Sequence, residues 1–148
     1  MNFQRGAWKK NISIEMTGNI NPIVYTDKKW CGFIVRQLLT NAIKYSPEGG
    51  NICIQVSIDI NKHVNVTIND EGTGIQSHDL PRIFDKGFTG ENGRIQHSAT
   101  GMGLYLAKEI SKKLHIRLNA DSTLGKGTSI LMVFSSANSV ERIRRSIL

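Results

Sequence analysis

The chain has 148 residues, 39% of them hydrophobic and 21% charged, with a formal net charge of +7. That length supports one domain with its own core and needs no disulfide or metal staple. No apolar run approaches the ~20 residues of a membrane span, and Met1 to Gly6 lacks the apolar stretch of a secretory signal. The basic excess is spread over Lys9-Lys10, Lys28-Lys29, Lys112-Lys113 and Arg142 to Arg145 without interleaved aromatics. This pattern argues against a nucleic-acid surface and suits a small polyanion better. Cys31 and Cys53 fit no metal or redox spacing and read as small core residues in a reducing compartment.

In chain order, Ile12, Ile14 and Met16 alternate as a strand, and Asn19 to Pro22 turns the chain toward a short strand at Ile23 to Tyr25. Thr26 or Asp27 can cap the helix that follows. There Trp30, Phe33, Ile34, Leu38, Leu39, Ala42 and Ile43 recur at helical spacing, and Ser46-Pro47 ends the run. Ile52 to Ile60 alternates strictly, Asn61-Lys62 turns, and Val64, Val66 and Ile68 return. Residues 70–100 form a glycine-containing irregular stretch, long enough to be functional or mobile. A second helix starts at Leu104, with Leu106, Ala107, Ile110 and Leu114 on one side. Strands follow at Ile116 to Ala120 and Thr128 to Phe134 around the turn Leu124 to Gly127. The tail from Ser135 has weak helical periodicity. The expected fold is α/β: a two-layer sandwich of about five mostly antiparallel strands in a mixed sheet, covered by about three helices and a mobile lid. The whole chain forms a single domain, with a core over about residues 12–135.

Three clusters carry polar or ligand-approaching groups. Gln37 and Asn41 lie four apart on one helix face, with Lys44 and Tyr45 one turn further. Alone, this stripe reads as a solvated face, yet the Asn41 amide oxygen suits Mg²⁺ and Lys44 a phosphate. Asp70 stands where a strand enters a turn, and its carboxylate can accept from an amino-bearing base. Gly72 and Gly74 then either admit a ring close to the backbone or allow positive φ. As a plain turn the same residues need no ligand. Gly101 and Gly103 precede a helix whose first amides lack intrahelical partners, a natural phosphate site. Neither a Walker loop nor a dinucleotide fingerprint is present. Between these clusters, Phe84 and Phe88 sit in a glycine-rich loop as hinge anchors or ordinary packing.

With these clusters in order, the chain resembles the catalytic, ATP-binding domain of bacterial sensor histidine kinases. That family shares its ATPase fold with gyrase B, the mismatch-repair protein MutL and heat-shock chaperones. Gln37 to Ser46 matches the Asn box, Asp70 to Gly74 the first glycine box, Phe84 to Phe88 the Phe box, and Gly101 to Leu104 the second glycine box. Gly125 to Ser129 matches the closing strand, where Thr128 supports the adenine pocket. Asn41 to Ser46 with Phe88 to Arg94 is similar to the small sensor kinases that accompany peptide-antibiotic transporters. The resemblance implies that Asp70 reads the adenine amino group and that Asn41 holds Mg²⁺. Lys44 and Tyr45 flank the nucleotide. Residues 86–103 form the ATP lid, with Arg94 as a phosphate contact. Ile75, Phe84, Phe88, Thr100, Gly101, Met102, Gly103 and Leu104 complete the nucleotide-binding set.

Two departures matter. Gln37 stands where the family often has Glu, and a neutral amide cannot act as a general base. His63, His78, His97 and His115 lack the sequence context of a phosphoacceptor. The resemblance therefore implies transfer from Mg·ATP to a histidine on a separate dimerisation and phosphoacceptor domain, with a response regulator downstream. It also implies a monomeric piece on the cytoplasmic side of a membrane-anchored parent. The alternatives are an anti-sigma-type serine kinase of the same fold and a non-catalytic ATP-sensing module.

Overall fold

The computed structural model describes residues 7, 10–18, 21–88 and 102–135. In these residues the elements are β1 (Ser13–Thr17), α1 (Lys28–Tyr45), β2 (Asn51–Ile58), β3 (Val64–Asp70), a 3-10 turn (Leu80–Arg82), α2 (Gly103–Lys113), β4 (Ile116–Thr123) and β5 (Gly127–Phe134). The five strands form one sheet in the order β1-β2-β3-β5-β4. β1 runs parallel to β2, and the other three pairings are antiparallel. This is the expected mixed, mostly antiparallel sheet, with three helical segments of which one is a single turn.

Register explains the two layers. Val64, Val66 and Ile68 of β3 sit opposite Phe134, Met132 and Ile130 of β5, which in turn face Ile116, Leu118 and Ala120 of β4. These residues and Ile52 meet Ile34, Leu38, Leu39, Ala42 and Ile43 of α1, together with Ala107 of α2, in one core. The alternate positions of β3 and β4, such as Asn65, Thr67, Asn119 and Asp121, face away from the helices and are polar, as one solvated sheet face requires.

Local chemistry sets the helix limits. Asp27 rather than Thr26 caps α1, its Oδ1 accepting from the Trp30 amide at 3.0 Å, while Thr26 Oγ1 is buried with no partner among the described residues. At the other end Ser46 precedes Pro47 and takes extended φ −78°, ψ 145°, the conformation a following proline imposes. The Lys10 ammonium donates to the carbonyl oxygens of Ile43, Lys44 and Ser46 at 3.0, 2.9 and 3.2 Å, a cation at the negative end of the α1 dipole. In the same segment Ala7 lies in the core, and its carbonyl accepts from the Ile12 amide.

Two expectations are corrected. Ile23 to Tyr25 is no strand: only Val24 makes a bridge, because Pro22 offers no amide and Asp27 already opens the helix. β2 stops at Ile58 because Asp59 Oδ1 accepts from the Asn61 and His63 amides. That turn leaves Ile60 97% exposed. Leu38 is fully buried where α1 meets the sheet, so Leu38→Ala should cost about 3 kcal/mol, read as a lower urea midpoint at unchanged slope.

Candidate functional site

The fold brings the first two sequence clusters and the described part of the third, Met102 to Leu104, together through α1. At its C-terminal end the loop after β3 passes so close that a Cβ at Gly72 would lie 2.5 Å from the Tyr45 carbonyl oxygen. About two turns earlier on the helix, a Cβ at Gly103 would lie 2.5 Å from Gln37 Oε1. Each glycine therefore lets backbone touch the polar helix, against protein atoms in the first instance. Gln37 and the start of α2 are joined by this second contact. Gly74 adopts φ +75° against the backbone at Thr123 and Leu124, which is one of the two roles considered for the glycine pair, while Gly72 makes room for protein backbone.

Asp70 continues the inward row of β3, two residues beyond Ile68 and opposite Ile52. A carboxylate at a core position is desolvated, and burial pushes its pKa up against the Gly72 and Thr128 amides, which hold it down. Both hydrogen bonds fall on Oδ1, from Gly72 N at 2.8 Å and Thr128 N at 3.2 Å. Oδ2 has no hydrogen-bond partner among the described residues. One oxygen positions the group and the other is free for a ligand's N–H.

Ser122, which sequence reasoning missed, underlies this loop. Its Oγ lies 2.8 Å from the Ile75 amide, 2.9 Å from the Gly127 carbonyl oxygen and 2.9 Å from Thr128 Oγ1. The Gly125 amide also donates to the Thr73 carbonyl at 2.7 Å. Ile75 and Thr128 thus belong to the same network as Asp70. A serine at an inward position near a strand end was the only available signal.

On α1, the half-buried Asn41 amide has no hydrogen-bond partner among the described residues. Lys44 Nζ lies 5.7 Å from the Tyr45 ring centroid. Burial lowers the Lys44 pKa and raises that of Tyr45. No group of three or more His, Cys, Asp or Glu side chains that could hold a metal occurs among the described residues. A cation here would depend on Asn41 and on the oxygens of a bound anion, a donor set that suits Mg²⁺.

Met102 precedes α2 and gives it no side-chain cap, and the first amides of a helix have no partner within it, the arrangement that suits an anion. Leu104 packs against the core, as does Phe84. Lys108 Nζ lies 5.2 Å from the Phe84 centroid and donates to the Leu118 carbonyl at 2.8 Å. Phe88 is covered by the Arg82 guanidinium at 5.0 Å. Arg94, Thr100 and Gly101, with most of the expected lid, lie outside the described residues, as does His97. His63 belongs to the β2–β3 turn, His78 lies 3.4 Å from Asp79 on the surface, and His115 ends α2 with φ 59°.

The sequence profile described as histidine kinase-, DNA gyrase B-, and HSP90-like ATPase matches residues 26–138. A sensor protein kinase GraS from Staphylococcus aureus (strain JH1) is 41% identical over 132 residues. The match covers 88% of this chain and 37% of that protein, so the chain spans just over a third of the relative's length. Among solved structures, a mycobacterial sensor histidine kinase MprB superposes with TM-score 0.77 at 27% identity, covering 88% of each chain. The catalytic domain of histidine kinase ThkA shares the fold at TM-score 0.73 and 19% identity, covering 90% of this chain and 85% of that one.

The raised Asp70 pKa has a consequence for stability. Because the folded value exceeds the unfolded one, the folded state binds the proton more tightly, and ionised Asp70 costs stability above the folded pKa. Asp70→Asn keeps an oxygen for the Gly72 and Thr128 amides and removes that cost. The variant should melt at a higher temperature than the wild type at neutral pH. The gap should close as pH falls through the raised folded pKa toward the ordinary carboxylate range, in thermal melts across pH.

Proposed function

Because the chain belongs to the family of histidine kinase-, DNA gyrase B- and HSP90-like ATPases, we propose that it holds Mg·ATP and presents the γ-phosphate to a histidine on a separate phosphoacceptor domain. In this reading it is the catalytic part of a two-component sensor kinase that passes the phosphoryl group to a response regulator. The observation that carries it is Asp70: a desolvated carboxylate with Oδ1 fixed by two backbone amides and Oδ2 open to an amino group. Adenine offers such a group. The 41% identity to a protein named as a sensor kinase supports the same reading.

The residues divide the work by chemistry. Asp70, Ile75 and Thr128 form the base end, with Gly72 and Gly74 shaping its loop. Asn41, Lys44, Tyr45 and the uncapped start of α2 form the phosphate end, to which Met102, Gly103 and Leu104 belong. Arg94, Thr100 and Gly101 are assigned to the lid, and Phe84 and Phe88 to its near anchor. Mg²⁺ bound between Asn41 and the phosphates would neutralise charge there. Gln37 orients groups through its amide and takes no proton. Catalysis then rests on positioning and charge neutralisation, the main terms in phosphoryl transfer. We assign the parent protein to the membrane, with this piece on the cytoplasmic side and monomeric; no helix among the described residues is long and apolar enough to cross a membrane.

Calorimetric titration with Mg·ATP tests the base end. Asp70→Asn should weaken binding by about 10- to 100-fold, the scale of one hydrogen bond to a charged group. Asn41→Ala should abolish phosphorylation of a supplied acceptor domain, followed by acid-labile phosphohistidine. Undiminished transfer would remove Asn41 from the metal role. Tight ATP binding with no transfer in the wild type would favour a non-catalytic nucleotide sensor, the role a neutral Gln37 permits.

A further inference from the structure

We propose that Ser122 is a positioning residue that sets the selectivity of the site for a 6-amino purine, by holding the loop from Asp70 to Ile75 against the β4–β5 hairpin. The inference rests on the assignment of Asp70 as the group that meets adenine.

Among the hydrogen bonds that join that loop to the hairpin, three define its placement. Thr128 N donates to Asp70 Oδ1 at 3.2 Å, Gly125 N donates to Thr73 O at 2.7 Å, and Ile75 N donates to Ser122 Oγ at 2.8 Å. The middle one is backbone to backbone and insensitive to sequence. The first depends on Asp70 itself. The third depends on a side chain remote from the base-reading group.

The Ser122 hydroxyl is fully used. A hydroxyl has one proton and two acceptor sites. Oγ accepts from Ile75 N, the hydroxyl proton reaches the Gly127 carbonyl oxygen at 2.9 Å, and the second lone pair takes the proton of Thr128 Oγ1 at 2.9 Å. One side chain therefore ties both ends of the hairpin turn to the far end of the loop. Gly127, its acceptor, passes so close to the Asp70 backbone that a Cβ would overlap the Asp70 carbonyl oxygen. Removing the hydroxyl leaves an amide, a carbonyl and a hydroxyl without this partner, at the point where the loop meets the hairpin.

Selectivity follows from geometry. Asp70 Oδ2 attracts an exocyclic amino group and repels a carbonyl oxygen at the same place. A rigid loop enforces that difference; a loose one lets the carboxylate withdraw, which weakens an amino base and relieves a carbonyl base. Ser122 touches no ligand in this scheme.

The test compares ATP with inosine triphosphate, whose base carries oxygen where adenine carries the amino group, by calorimetry with Mg²⁺ on wild type, Ser122→Ala and Ser122→Thr. Ser122→Ala should lose about tenfold in ATP affinity while binding inosine triphosphate within about twofold of wild type, and Ser122→Thr should restore discrimination. Equal weakening toward both nucleotides, or no change, would overturn the proposal while leaving Asp70's role intact. A wild type that binds both nucleotides equally would overturn the role of Asp70 and this proposal together. A second measurement needs no substitution: the Ile75 amide should exchange with solvent at least about tenfold more slowly than its unstructured rate. Free exchange at Ile75 would overturn the proposal even if Ser122→Ala fails to fold.

Discussion

The site depends on close approach of backbone to one helix. α1 carries Gln37, Asn41, Lys44 and Tyr45, and two other segments must reach it for those side chains to share a ligand with anything else. Gly72 reaches the Tyr45 carbonyl and Gly103 reaches the Gln37 amide. A methyl group at Gly72 would stand 2.5 Å from the Tyr45 carbonyl oxygen, well inside van der Waals contact, and would push the loop outward, since backbone in a dense interior has little room to give. At Gly103 the atom met is the end of the Gln37 side chain, which can swing aside at the expense of its contact with α2. The approach of the loop after β3 to α1 is thus set by one missing side chain, and that of α2 by the placement of one amide.

Against that steric frame stands an electrostatic cost. Asp70 occupies the fourth inward position of a strand whose other three are Val64, Val66 and Ile68. An apolar residue there would extend the core; a carboxylate is desolvated instead, and two backbone amides offset only part of the penalty. Residues that destabilise their own fold in this way are typical of sites shaped for a ligand.

Much of this was legible in the chain. The alternation of Ile52 to Ile58 and of Val64 to Ile68, and the apolar stripe of α1, dictated sheet and helix because period and burial coincide there. The inward place of Asp70 was readable by counting in twos from Val64. The parallel pairing of β1 with β2 was not, since strand direction across a long connection leaves no local trace. Nor was Ser122, whose role depends on a hydroxyl meeting an amide 47 residues away. Ile23 to Tyr25 misled because three apolar residues look alike whether they pair or merely cross the surface. Gly72, Gly74 and Gly103 do lie at close approaches, but their immediate neighbours are protein atoms, which composition alone does not distinguish from a ligand.

Lys10 alters where the folded unit begins. Judged by the sheet alone, the first necessary residue would be Ser13. Yet the Lys10 ammonium closes three carbonyls at the end of α1, the Lys10 carbonyl takes the Gly49 amide, and Ala7 is packed in the core. The segment ahead of β1 is therefore a strap across the foot of the helix that carries Asn41 and Lys44. Replacing Lys10 would leave the last carbonyls of α1 without their cation, so the stability of that helix end is set by a side chain that no strand or helix contains.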